Sequence, residues 1–184
     1  MAVSFVPVKT PEEQERLAEL AGKIWREYWP AIIGEAQTEY MVANFQSLDA
    51  IRRDMAKVQE PYEYWFVVSD AEDAHGGDAR EPHVVGYTGG HDEAATNRFF
   101  ISKIYLLAEE RGKGYAGKVI AFYEDLCRAR ALHAMYLTVN KYNELGIRAY
   151  LGKGFTTIDA VQTAIGEGFI MDDYIMKKQV NPLG

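Results

Sequence analysis

The sequence predicts one α/β domain, because a buried-strand pattern runs through a glycine turn into an amphipathic helix, and helical and strand-like stretches alternate elsewhere. The apolar run Ile104, Tyr105, Leu106 and Leu107 reads as a buried strand. After it come Arg111, Gly112, Lys113, Gly114, Tyr115, Ala116 and Gly117, then Val119, Ile120, Tyr123, Leu126 and Cys127 at helical spacing. A chain of 184 residues with 48% hydrophobic content can bury one good core and is short for two.

From the N-terminus, residues 3–8 alternate weakly and read as a first strand. Thr10, Pro11 and Glu13 then announce a helix: a cap, a first-turn proline and the far half of a capping box. That helix carries Leu17, Leu20, Ile24 and Tyr28, with Trp25 and Trp29 alongside, and Pro30 ends it. A second helix is expected over 35–45 and a short third one capped by Ser47. Trp25 and Tyr40 lie at helical spacing and are expected in the core.

Residues 62–69 read as a strand, 70–81 as a polar hairpin loop and 82–91 as the returning strand. Gly89 and Gly90 mark a bulge or a close backbone approach. Residues 98–107 form the long central strand and 135–139 the strand after the helix. Residues 155–161 and 169–177 close the chain as a hairpin through Gly166, Glu167 and Gly168.

Composition narrows the partners. A single cysteine excludes an internal disulfide and fits a cytoplasmic protein, the four histidines are scattered, and no metal site is expected. A net charge of −7 argues against nucleic acid and suits a cationic substrate. No apolar run reaches membrane-spanning length, and the N-terminus reads as lacking a signal peptide, so no membrane partner is expected.

The glycine turn carries the chemistry. Glycines let the backbone approach a ligand, and the first amides of the following helix have no intrahelical partners, so the turn suits a phosphate or pyrophosphate. Arg111 and Lys113 are expected to add positive charge beside it. Gly112 to Gly117 also spells G-x-G-x-x-G, the dinucleotide fingerprint, so the hexapeptide alone leaves two cofactor classes open. A dinucleotide fold wants an acidic residue closing the next strand; here that strand is followed by Asn140 and Lys141.

Together, two motifs resemble the GNAT superfamily of acyl-CoA-dependent N-acyltransferases. Arg111, Gly114 and Ala116 match its phosphate turn, Arg/Gln-x-x-Gly-x-Gly/Ala, and Asn143, Tyr150, Gly154 and Phe155 match its later motif. Gly146 departs, standing where the family usually has Ala or Ser. The resemblance implies the GNAT fold: a central mixed, mostly antiparallel sheet of six to seven strands, helices on both faces, and a splay between the central strand and the strand after the cofactor helix. It places the cofactor-binding core at 98–155 of a single domain, 1–184.

The resemblance further implies acetyl transfer from acetyl-CoA to a primary amine, with the amides of Gly112, Lys113, Gly114, Tyr115 and Ala116, and the adjoining Gly117, cradling the pyrophosphate. Leu106 and Leu107 would contact the cofactor through their backbones, one amide polarising the thioester carbonyl. Asn143 would bond the cofactor arm, and Tyr150 would be the general acid, since an ordinary phenol is protonated at neutral pH. Helices at the N-terminal position form an acceptor wall in the family, which points to Glu35, Gln37 and Glu39. Glu35, Glu39, His91 and Asp173 are the candidates for a general base. The segment from Met171 to Lys177 resembles the closing strand of bacterial polyamine acetyltransferases, which implies a small-molecule amine acceptor and allows a homodimer. A protein acetyltransferase, a non-catalytic acyl-CoA-binding module and a nicotinamide-dependent oxidoreductase are the alternatives.

Overall fold

The structure is a computed structural model that describes residues 2–70 and 83–181. The polar hairpin loop expected over 70–81 lies, apart from Asp70, outside the described residues. The order is β1 (Val3–Pro7), α1 (Pro11–Tyr28), α2 (Pro30–Ile33), α3 (Glu35–Phe45), α4 (Leu48–Met55), β2 (Glu63–Ser69), β3 (His83–Glu93), β4 (Arg98–Leu106), α5 (Tyr115–Ala129), β5 (Ala134–Asn140), α6 (Glu144–Leu151), β6 (Thr156–Gly166) and β7 (Phe169–Gln179). A 3-10 turn, Ala108–Glu110, follows β4. The seven strands form a mixed sheet in the order β1-β2-β3-β4-β5-β7-β6.

The chain divides into two compact units. One comprises Met1–Gly89 with Lys103–Val119, the other Gly90–Ser102 with Ile120–Gly184. Strands β3 and β4 and helix α5 contribute residues to both.

In the first unit α1 begins as the sequence predicts. Thr10 accepts from the Glu13 amide at 3.2 Å, and the Glu13 carboxylate accepts from the Thr10 amide at 2.9 Å. Pro30 ends α1 and then opens the four-residue α2, which was not expected. The apolar stripe of α1 places Leu17, Ile24 and Trp25 at no more than 1% exposure. Each such burial contributes about 2–3 kcal/mol. Leu17 and Ile24 join Val8, Ile51, Tyr64, Phe66, Val68, Tyr87 and Leu107 in one core cluster. Trp25 stacks on Trp29 at 5.0 Å and meets Tyr105 edge-on at 5.4 Å. Trp25 is thus core, whereas Tyr40 is half-buried, 6.4 Å from Phe45.

Glycines in β3 mark close approaches. A Cβ on Gly86 would stand 2.2 Å from the Tyr105 carbonyl oxygen, and one on Gly89 2.6 Å from the Tyr64 ring. In the second unit, a Cβ on Gly90 would stand 2.0 Å from the Phe100 carbonyl oxygen. Steric exclusion, not turn geometry, requires glycine at all three.

Sequence reading missed the buried Lys103 on β4. It is 6% exposed, its Nζ donates to the Phe45 carbonyl at 3.4 Å, and burial lowers its pKa to about 8. With Arg53 donating to the Asn44 carbonyl at 3.2 Å, it closes the C-terminus of α3, where cations are favoured. A depressed lysine pKa means the unfolded chain binds more protons between pH 8 and 10.5, so this group's penalty on folding fades as pH rises through that window. Lys103→Met is therefore expected to raise Tm at pH 7 by a few degrees, with the gain shrinking by pH 9.5; thermal unfolding at both pH values checks it.

In the second unit β4 and β5 pair in parallel from Arg98↔Ala134 to Ile101↔Leu137, where the registered pairing ends, although β4 runs on to Leu106 and β5 to Asn140. Phe99 packs against Tyr123 of α5 at 4.9 Å, and Met135, Leu137 and Met176 are buried. β7 pairs antiparallel with β5 and β6. The closing turn has two residues, Glu167 and Gly168, at φ +51° and +82°, the signature of a type I′ hairpin.

Candidate active site

In the first unit, the turn before α5 has the backbone an anion needs. Gly112 and Gly114 adopt φ of +78° and +87°, and a Cβ at either would meet nothing within 4 Å. Left-handed backbone, not crowding, is therefore what calls for glycine here. The Gly117 amide donates to the Gly114 carbonyl at 3.1 Å, so Gly114 stands at the N-cap of α5. The amides just before Gly117 fall at helix positions that have no intrahelical acceptor, at the positive end of the helix dipole. Tyr115 is buried, and its hydroxyl donates to Ser69 at 2.9 Å, pinning the first turn of the helix to β2.

Both cations expected beside this turn have partners in the protein. Arg111 donates from Nε to the Leu106 carbonyl at 3.1 Å and lies over the Tyr28 ring at 4.6 Å. Lys113 donates to Glu110 at 3.1 Å, and the other Glu110 oxygen lies 3.0 Å from His83 Nε2. Burial pushes the Glu110 carboxyl up, but the Lys113 and His83 bonds outweigh it and hold the pKa below the ordinary value. Glu110 offsets the charge of Lys113, whereas the Arg111 partners are a carbonyl and a ring, both neutral, so its charge adds to that of the helix N-terminus.

Of the expected backbone contacts, the Leu107 amide donates to the Val85 carbonyl at 3.0 Å. Successive strand amides alternate in direction, so the Leu106 amide points away from β3. On the helices, Glu35 is exposed and Gln37 half-buried. Glu39 is exposed and gripped by Arg26 through two bonds of 2.7 and 3.0 Å, and this partner lowers its pKa. A carboxylate so held is a weak base.

The second unit carries Asn143 and Tyr150. Asn143 caps α6, its Oδ1 accepting from the Gly146 amide at 3.0 Å. A Cβ on Gly146 would stand 2.8 Å from Asn143 Nδ2, which explains the departure from the usual motif. Gly146→Ala is expected to gain roughly 1 kcal/mol of helix propensity and lose about as much capping energy, leaving stability within about 1 kcal/mol by chemical unfolding.

Tyr150 is half-buried near the end of α6, its ring 5.8 Å from that of Phe155. Gly154 at φ +84° turns the chain back, the Phe155 amide donates to the Tyr150 carbonyl at 3.1 Å, and Phe155 is 1% exposed. The Gly-Phe pair thus reverses the chain and seats a buried ring beside the phenol. Lys178 braces the turn by donating to the Lys153 carbonyl at 2.6 Å while pairing with Glu124. His91 is buried, edge-on to Phe100 at 5.4 Å.

Asp173 stands apart from the other base candidates. It is 8% exposed, its Oδ1 has no protein partner, and burial, then its neighbour Asp172, raises its pKa to about 6. The single cysteine, Cys127, is fully buried, and burial pushes its thiol up to about 12. It is no nucleophile at neutral pH.

The sequence model of the acetyltransferase (GNAT) family matches residues 22–155, a span that holds the turn, Asn143 and Tyr150. The fold resembles the PaiA N-acetyltransferase of Thermoplasma acidophilum in complex with coenzyme A: 19% identity, TM-score 0.73, covering 97% of this chain and 99% of that one. It also resembles a GNAT-family acetyltransferase of Staphylococcus aureus Mu50, with 13% identity, TM-score 0.68, and coverage of 98% and 100%. The spermidine N-acetyltransferase of Vibrio cholerae in complex with CoA and spermine gives 16% identity, TM-score 0.62, and coverage of 97% and 95%. No curated protein sequence matches the chain. With the family model spanning most of the sequence, and a seven-stranded mixed sheet like that of these acetyltransferases, the chain belongs to the acetyltransferase (GNAT) family.

Proposed function

We propose that this chain transfers the acetyl group of acetyl-CoA to a primary amine of a small molecule, a polyamine being the leading candidate, by direct attack with both substrates bound. The observation that carries the reading is the open turn from Gly112 to Ala116, two left-handed glycines before a helix N-terminus, inside the segment matched by the family. Its main-chain amides would hold the diphosphate of coenzyme A, and the space where a Cβ would stand at Gly112 and Gly114 leaves room for that approach. When bound, acetyl-CoA supplies an activated acyl group.

The protein's part is positioning and proton traffic. The Leu106 amide is the donor assigned to the thioester carbonyl, since that of Leu107 is engaged with Val85. Asn143, which caps α6 through its Oδ1, is the residue assigned to bond the pantetheine arm. The Tyr150 hydroxyl gives its proton to the departing sulfur, its ring seated by Phe155. Direct attack is favoured over an acyl-cysteine route because Cys127 is buried and its thiol is pushed far above neutrality.

The amine class draws on the spermidine acetyltransferase likeness and on the net charge of −7. Not every acidic residue contributes, because Glu39 is paired with Arg26 and Asp172 with Lys141 at 2.5 Å. An assay of CoA release over polyamines, amino acids, aminoglycosides and N-terminal peptides tests the reading. Turnover with a small primary amine is expected. Tight acetyl-CoA binding without thiol release from any amine would make the chain a non-catalytic binding module, and turnover confined to peptides would make it a protein acetyltransferase.

A further inference from the structure

We infer that Asp173 is the residue that binds the acceptor's ammonium group and takes its proton. The inference rests on the acetyltransferase reading and adds to it the base. Among the described residues, two carboxylates are buried, Glu110 at 4% and Asp173 at 8% exposure. Glu110 is bonded by His83 and Lys113, whereas Asp173 Oδ1 is sealed from solvent and has no partner in the protein. A buried carboxylate oxygen without a partner is costly, and a catalytic role is one of the reasons for which such a group is kept.

Its surroundings leave it for a ligand. Asp172 is the neighbouring acid on β7, and Lys141, in the turn after β5, ion-pairs with Asp172 at 2.5 Å while its amide donates to the Asp172 carbonyl at 3.0 Å. Successive strand residues face opposite sides, and the Lys141 ammonium pairs with Asp172 rather than with Asp173. Asp172 and Lys141 are the charged groups acting on Asp173. Its register partners, Asn140 of β5 and Val161 of β6, carry no charge. Asn140 is buried at the C-terminal end of β5, immediately before the turn in which Asn143 opens α6 and leads to Tyr150. Base and acid would thus come from the two sides of one β5–α6 connection.

The chemistry balances simply. An ammonium proton passes to a carboxylate oxygen of Asp173, giving a neutral amine with a free lone pair and a neutral carboxylic acid. The second nitrogen proton, shed as the amide forms and the C–S bond breaks, restores the hydroxyl of Tyr150 after that residue protonates the sulfur, and the acid then returns its own proton to water. A carboxylate titrating near pH 6 is a stronger base than an ordinary aspartate and is still ionised at neutral pH.

The test compares the intact chain with Asp173→Asn, which keeps the volume and removes the base. For spermidine, kcat/KM is measured from pH 5 to 9, and acetyl-CoA affinity by calorimetry. The variant is expected to fold, to bind acetyl-CoA within about twofold of wild type, and to lose about 30- to 100-fold in kcat/KM together with the acidic limb near pH 6, water serving as a poorer proton carrier. Asp173→Glu is expected to regain part of the rate and the limb. An active wild type with an equally active Asp173→Asn variant showing the same acidic limb would overturn the assignment and leave the acetyltransferase reading standing. If the wild type acetylates no amine, that reading fails, and the site is judged by carbon NMR alone: added spermidine must still shift the Asp173 carboxyl resonance and lower its titration midpoint, and an unmoved resonance overturns the ammonium site as well.

Discussion

Gly114→Val is expected to abolish acetyl-CoA binding, raising Kd at least 100-fold, while the protein still folds. Gly114 holds φ +87°, where a β-branched residue is an outlier, so valine strains the backbone by about 1–3 kcal/mol or forces it into another region. No atom lies within 4 Å of the place a Cβ would take, so crowding adds nothing and the core is untouched. Either response moves the amides around the α5 N-cap, and a valine that stays put projects its methyls into the space the diphosphate would use. Calorimetry with acetyl-CoA, alongside thermal unfolding to confirm the fold, checks this outcome. Normal affinity in the variant would place the diphosphate elsewhere.

Tyr150→Phe is expected to lower kcat by about 100- to 1,000-fold with acetyl-CoA affinity nearly unchanged, the usual size of a lost acid contribution. The ring of the variant keeps its seat near Phe155, and the Tyr150 carbonyl still accepts from the Phe155 amide, so the change isolates the hydroxyl. α6 buries none of its residues, and stability should therefore move little. Steady-state kinetics with the best amine from the panel, read beside the binding measurement, separates a chemical defect from a binding one. Unchanged turnover would remove Tyr150 from proton transfer.

Much of the fold was legible because local chemistry and tertiary structure agree. The box of Thr10 and Glu13, the span of α3 and the Ser47 cap of α4 all appear as local rules predict. The turn from Gly112 to Gly117 was legible for the same reason: positive φ calls for glycine wherever it occurs. What stayed hidden depends on partners distant in sequence. Arg111 and Lys113 look like free cations in the string that also contains Glu109 and Glu110, and only the folded chain gives them Leu106, Tyr28 and Glu110 as partners. The four-residue α2 is too short to show a helical period.

Asp172 and Asp173 are identical neighbours. Strand alternation says that they face opposite ways, but which one is buried is set by the pairing of β7 with β5 and β6. Lys103 hides similarly within a strand pattern whose other inward residues are apolar. Gly146 reads as a weakened helix, whereas in the structure the Asn143 side chain occupies the space beside it.

A crystal structure of the protein with coenzyme A tests the central placement most directly. Diphosphate oxygens are expected within hydrogen-bonding distance of main-chain amides between Gly112 and Ala116. Coenzyme A bound at another surface, with those amides facing only solvent, would contradict this placement.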